Sequence, residues 1–263
     1  MTDYPTGLGT SDRDTISLLG HDLAGELLGN VSFGELAFWL ATQQRPTPQQ
    51  LRVFEAVLVS LADHGFTPTA IAARLTYYSA PDSLQGAIAA GLLGGGSRFL
   101  GVTEDTGAFL HAALDTLGDT SEFTDEQWDA AAVTLLTETR EAARRVPGLG
   151  HPVHKQRDPR TDVIIRIAEE QGLRGAHLRL FEAIGRTNAQ VLGKELPLNG
   201  AGVAGAALAD LGLPIELLRG FALLARTAGL IGHLAEERLR PIAPAIYAEV
   251  DRNAVYLAPT ASN

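Results

Sequence analysis

The chain reads as a mostly α-helical protein of 263 residues, large enough for one sizeable domain or a large domain with a smaller one beside it. Two kinds of signal carry this reading. Helix-start motifs recur ahead of apolar residues at three- and four-residue spacing, and glycine or proline stands where each pattern stops. No run of alternating β-branched and aromatic residues is long enough to build a sheet.

The elements follow in order. Thr47-Pro48-Gln49-Gln50 is a capping-box pattern, and Leu51, Phe54, Leu58 and Leu61 continue it to a helix end at Asp63-His64-Gly65. Thr124 to Gln127 is a second capping box, whose helix is expected to run through Leu135 and Leu136 to a basic end at Arg144-Arg145, stopped by Pro147. Asp158-Pro159-Arg160 reads as a third start, with Asp158 as cap and Pro159 in the first turn, and this helix should stop near Gly172. After Pro214 an apolar helix is expected from Ile215 to about Leu239, placing Arg219, Arg226 and His233 on one face.

Composition narrows the function. The net charge of −10 argues against nucleic acid or an anionic membrane surface as the partner. Against that background Arg140 to Arg160 stands out, with six basic residues to two acidic, a local excess of four positive charges suited to a polyanionic small molecule. Cysteine is absent, which excludes thiolate chemistry and thiolate metal sites. The longest uncharged run is the 15 residues between Asp82 and Arg98, short of a membrane span, and no apolar leader is evident, so a soluble cytoplasmic protein is expected.

The segment Pro147 to Arg160, P-G-L-G-H-P-V-H-K-Q-R-D-P-R, has the composition of a site. Gly148 and Gly150 allow sharp bends, and His151 is then held on a turn where it can exchange a proton near neutral pH. A helix start carrying Arg160 attracts carboxylates and phosphates. Other candidates have ordinary readings beside the functional ones. His64 at a helix end is satisfied by the helix dipole or serves a site. Arg226 within Leu223-Leu224-Ala225 and Thr227-Ala228-Gly229 is a structural ion pair or a ligand clamp. Gly200-Ala201-Gly202-Val203-Ala204-Gly205 matches a dinucleotide fingerprint, but without a preceding strand it reads as close helix packing. His233 with Glu237 is at most half a metal site, so no metal is expected; Glu236-Glu237-Arg238 looks like a solvated face, and Arg144-Arg145 like helix-end neutralisation.

Taken in order, Ala62-Asp63-His64-Gly65, the Gly-rich Gly96-Ser97-Arg98-Phe99-Leu100-Gly101, the His151 segment, Leu198-Asn199-Gly200-Ala201-Gly202 and Ala225 to His233 resemble the citrate synthase superfamily, and within it the citryl-CoA lyases and the lyase module of ATP-citrate lyase. The resemblance runs from about Thr15 to Tyr247. It implies an all-α homodimer, with a large helical domain of residues 1–100 and 208–263 and a small one of 101–207 carrying the His151 loop and Arg160. It implies an enzyme that cleaves or forms the C–C bond between an acyl-CoA, such as acetyl-CoA, and a 2-oxo acid, such as oxaloacetate. By the same resemblance His151 and His64 would be catalytic and hold the oxaloacetate or citryl group. Arg160, Arg226 and Arg240 would bind substrate carboxylates, Arg240 across the dimer interface. Lys155, Arg157 and Arg98 would meet the phosphates of coenzyme A, which enters as a thioester substrate or product and not as a tightly bound cofactor.

Three departures from the family pattern stand in the sequence. Phe99 takes the place of a catalytic His of the synthases, as in the lyase modules. Pro152 follows His151 where relatives often carry Arg. Ala201 stands where the family has the Asp that moves the methyl protons of acetyl-CoA, and alanine cannot move a proton. Two alternatives therefore remain: a catalytically impaired acyl-CoA or dicarboxylate binder, and a citrate synthase-like acyltransferase with another substrate pair.

Overall fold

The structure is a computed structural model that describes residues 2–151, 156 and 158–258. Lys155 and Arg157 lie outside the described residues. A three-stranded antiparallel meander opens the chain, with β1 (Gly9–Ser11), β2 (Ile16–Leu18) and β3 (His21–Asp22) paired so that Gly9 faces Leu18 and Ser17 faces Asp22. The sequence reading expected no sheet. Strands of two or three residues are too short to display the alternation that reveals a strand.

Helices follow: α1 (Phe33–Thr42), α2 (Pro48–Ala62), α3 (Pro68–Ser79), α4 (Leu84–Leu93), α5 (Val102–Leu117), α6 (Asp125–Glu141), α7 (Pro159–Glu170), α8 (Ala176–Leu192), α9 (Gly200–Asp210), α10 (Leu218–Leu239) and α11 (Ala243–Arg252). Their starts obey the local chemistry. Before α2, the Thr47 hydroxyl accepts from the Gln50 amide at 3.2 Å while the Gln50 side chain accepts from the Thr47 amide at 2.9 Å. Thr124 and Gln127 close the same reciprocal pair at the start of α6. Asp158 caps α7 with Pro159 in its first turn.

The stops are less uniform. α7 ends in a Schellman motif with Gly172 left-handed at φ +70°, as the sequence suggested. α6 ends at Glu141, earlier than expected, because the same motif forms on Ala143 at φ 54°: the Arg144 amide donates to the Thr139 carbonyl and the Ala143 amide to that of Arg140. Arg144 and Arg145 therefore stand beyond the helix rather than on its last turn. α10 begins at Leu218, after a single 3₁₀ turn at Ile215–Leu217.

The chain divides into two compact units, Met1–Leu61 with Ser97–Ala222, and Ala62–Gly96 with Leu223–Asn263. These bounds differ from the division into 1–100 with 208–263 and 101–207. Within the first unit α5 packs on α9, and Leu218 lies against Gly107 of α5, so this body continues past residue 208 into the start of α10. Its N-terminal part is tied in by edge-to-face contacts of Phe54 with Phe38 at 5.4 Å and with Phe221 at 5.2 Å. The second unit packs α3 on α4 around Ala70, Ala73, Ala87, Leu230 and Leu234.

The centre of the first unit is α9, buried from Gly202 to Ala209 and touched by α5, α7 and α8. A helix apolar on every side must be surrounded, and its glycines allow neighbours to close in. A Cβ on Gly205 would stand 2.1 Å from the Thr103 carbonyl oxygen, and one on Gly202 would stand 2.6 Å from the Gly148 Cα. The G-x-G-x-x-G run is thus a packing surface, as the sequence reading held. Gly205→Ala is expected to cost about 1–3 kcal/mol through overpacking, read as a lower urea midpoint. Gly232→Ala, with open space around it in α10, should instead gain about 0.5–1 kcal/mol.

Candidate functional site

In the first unit, the His151 loop and the start of α9 are joined by backbone. The Gly150 amide donates to the Pro197 carbonyl at 2.7 Å, the Asn199 amide to the Gly148 carbonyl at 2.9 Å, and Leu149 bridges Leu198. Asn199 then does two things with one side chain. Its oxygen caps α9 by accepting from the Gly202 amide at 2.9 Å, and its nitrogen donates to the Gly150 carbonyl at 2.8 Å. Gly148, at φ +79°, is held so closely that a Cβ would sit 2.7 Å from the Phe181 ring.

Asp158 is the hub of this region. Its carboxylate is completely buried and accepts from Arg160 twice, from Nε at 3.0 Å and from Nη2 at 2.7 Å. It also accepts from the backbone amides of Arg160 at 3.1 Å and Gly200 at 2.7 Å. His151 Nε2 stands 4.0 Å from the same carboxylate, with the imidazole nearly buried. Burial alone would raise the Asp158 carboxyl, but the Arg160 guanidinium and the two amides outweigh it and hold the group far below the usual carboxylate range.

Arg160 donates in addition to the Ser60 carbonyl at 3.2 Å, and its guanidinium lies over the bare Cα of Gly200. Three of its N–H groups are engaged in these bonds, which leaves two of an arginine's five donors. His151, Asp158, Arg160 and the first turn of α9 with Ala201 therefore form one cluster. Asp158 entered the sequence reading only as a cap; its pairing partner two residues on was the available signal.

The second unit holds His64, Arg226 and Arg240, and the first holds Arg98. His64 is exposed just beyond α2, Arg226 is 4% exposed on α10, and Arg240 and Arg98 are exposed. Beside His64 runs a network centred on Arg74, a residue the sequence reading passed over. Arg74 is fully buried on α3; its Nε donates to His233 Nδ1 at 3.1 Å, its Nη1 to Glu237 at 2.9 Å, and its Nη2 pairs with Glu236. Arginine can only donate, so His233 Nδ1 is the acceptor and its proton sits on Nε2, which donates to Asp63 at 2.9 Å.

Glu237 also accepts the amides of Ile242 and Ala243 at 2.9 and 2.8 Å, capping α11. Burial would raise its carboxyl, yet the Ala243 amide, Arg74 and the Ile242 amide bring it below the usual range. This corrects the reading of Glu236-Glu237-Arg238 as a solvated face: Glu237 is buried because α11 and Arg74 both need its charge. Among the described residues no group of three or more His, Asp or Glu could hold a metal ion.

Comparison with known proteins assigns the chain. Residues 20–245 match the family described as citrate synthase, C-terminal domain. The chain belongs to the citrate synthase family. It is 28% identical over 209 residues to a citrate synthase from Deinococcus radiodurans, covering 75% of this chain and 50% of that protein. It is 23% identical over 241 residues to a probable ATP-citrate synthase from Dictyostelium discoideum, covering 86% and 37%. The chain thus spans half or less of the length of these curated relatives.

Among solved structures, citryl-CoA lyase from Hydrogenobacter thermophilus is similar over 99% of this chain and 96% of its own, at 29% identity and a TM-score of 0.83. ATP citrate lyase from Methanothrix soehngenii, solved with citrate and coenzyme A, shares the fold at 20% identity and a TM-score of 0.76, over 99% of this chain and 42% of that one. The mostly helical, citrate synthase-like fold expected from the sequence is present. No helix among the described residues is long and apolar enough to cross a membrane.

Asp158→Asn should lower stability by about 3 kcal/mol at pH 7, because it removes the enclosed charge around which the partly exposed Arg160 guanidinium and two backbone amides are arranged. The folded-state carboxyl titrates lower than in the unfolded chain, so its contribution is complete above the ordinary carboxylate range and fades as pH falls. The difference in denaturant midpoint between wild type and variant should therefore shrink steadily as pH is taken from neutral to strongly acidic.

Proposed function

We propose that this member of the citrate synthase family is a citryl-CoA lyase-like enzyme, cleaving or forming the C–C bond between acetyl-CoA, or another acyl-CoA, and oxaloacetate, or another 2-oxo acid. The observation that carries the reading is the end-to-end likeness to a citryl-CoA lyase, nearly the whole of both chains at 29% identity. In the cleavage direction a base takes the hydroxyl proton of the citryl group, the C–C bond breaks, and the electron pair passes to the thioester as an enolate that is then protonated.

His151 is assigned to the oxygen-side proton, with His64 as its companion on the substrate. Asp158 would fix Arg160 and lie beside His151, while the two remaining donors of Arg160, together with Arg226, bind substrate carboxylates. Arg240 would act across a homodimer, and Lys155, Arg157 and Arg98 would meet coenzyme A phosphates. The N-terminus of α9 supports an enolate through its amides and dipole. It supplies no carboxylate there, because Ala201 occupies the first turn.

That alanine favours a second reading, in which the protein binds acyl-CoA or dicarboxylate and turns over poorly. Proton transfer by a placed base is worth about 10²- to 10⁴-fold. Ala201→Asp should therefore raise the rate of citryl-CoA cleavage by about 10²-fold while leaving the affinity for coenzyme A within about threefold. Thermal stabilisation of the wild type by coenzyme A and oxaloacetate without turnover, and no gain in the variant, would decide for the silent binder. Cleavage of a different acyl-CoA and 2-oxo acid pair in a mass-spectrometric screen would instead assign the substrates anew.

A further inference from the structure

One large concavity of the first unit has no part in the cluster around Asp158. It is a groove of about 880 Å³ between α5 and α6, both of which lie against α8, with Leu180 of α8 in its floor. Phe109 and Leu117 form one side, Phe123 and Leu135 the other, and the space exists because Ala112 and Ala131 face it where larger residues would fill it. On α5 it extends from Asp105 to Leu117, about 18 Å at the rise of a helix.

The ends of this groove are unlike. At the end beside Pro147 stand Arg144 and Arg145, carried past the helix by the Schellman turn on Ala143. Both are exposed, and among the described residues neither side chain has a hydrogen-bond or ion-pair partner. Two carboxylates also line the groove. Asp105 lies 3.4 Å from Arg219, which Glu104 shares at 3.5 Å, and Glu138 is exposed on the last turn of α6. Against these carboxylates stand two guanidiniums without a partner among the described residues, in a chain whose net charge is −10. An apolar trough with two guanidiniums at one end is complementary to an amphipathic anion.

We propose that the α5/α6 groove is a binding site for an amphipathic anion, an unbranched acyl chain ending in a carboxylate, with its tail between the two helices and its head on Arg144 and Arg145. Burial of the chain drives binding, and the arginines orient it. None of the groove's lining residues belongs to the cluster of His151, Asp158, Arg160 and Ala201, so a binding measurement on the groove leaves the lyase assignment untouched.

Sodium dodecanoate, dodecanol and acetate, each titrated below any micelle-forming concentration by calorimetry, test it. Dodecanoate should bind saturably at one site, dodecanol about tenfold more weakly, and acetate not at all. Reversal of both charges, Arg144→Glu with Arg145→Glu, should weaken dodecanoate about tenfold and leave dodecanol unchanged. Ala112→Trp, which fills the trough, should abolish both. The two arginines are exposed, so the charge reversal remains decisive if the bulky variant fails to fold, which circular dichroism reports. Absence of saturable binding, or dodecanoate affinity indifferent to the charge reversal, overturns the proposal. So does a sedimentation result in which the groove is covered by a second copy of the chain, seen as self-association that Ala112→Trp disrupts and dodecanoate does not compete with.

Discussion

The buried carboxylate of Asp158 is the constraint on which the first unit's candidate site depends. A fully enclosed anion is tolerated only when its charge and lone pairs are met, and here a two-pronged arginine and two backbone amides meet them. Each partner is thereby fixed in turn. Arg160 cannot leave its fork without exposing a buried charge, the Gly200 amide sets where α9 begins, and His151 is kept within 4.0 Å of a permanent negative charge. One ionised group thus joins the histidine loop, the start of α7 and the start of α9.

The same principle organises the second unit with opposite sign. There the enclosed charge is the guanidinium of Arg74, met by His233, Glu236 and Glu237. Because an arginine only donates, it selects one tautomer of His233 and so directs the Nε2 proton to Asp63, the neighbour of His64. The Asp63 carboxyl, which burial would raise, is drawn below the usual range by the Gly65 amide and His233. Both histidines of the family resemblance therefore sit beside carboxylates whose ionisation is favoured by other groups, Asp158 fully enclosed and Asp63 half-exposed.

Within the first unit the packing around α9 is made of very small residues. α9 carries glycine or alanine at most positions, and neighbouring backbone approaches until a single methyl group on Gly205 would collide. Such a helix has almost no side chains with which to do chemistry; what it offers is its N-terminal amides. The first turn of α9, Ala201 included, accordingly holds no side chain that can move a proton.

Local signals in the chain were enough to place capping boxes at Thr47 and Thr124, the Asp-Pro start of α7, the apolar α10 and the tight glycine packing of α9, because each depends on residues within one or two turns of each other. They were also enough to nominate His151 and Arg160, which stand on one short segment dense in charge and turn residues. The short strands, the early end of α6 at a left-handed alanine and the role of Arg74 were not legible. The strands are too brief to carry a pattern, the alanine has no intrinsic preference for that backbone, and Arg74 finds its partners about 160 residues away, from an otherwise unremarkable alanine-rich helix. The chain on its own specified where α2, α6 and α7 begin and which residue types are worth watching. Burial specified the rest: whether a carboxylate is a mere helix cap or a charged anchor depends on how completely distant segments exclude water from it, and only the packed molecule determines that.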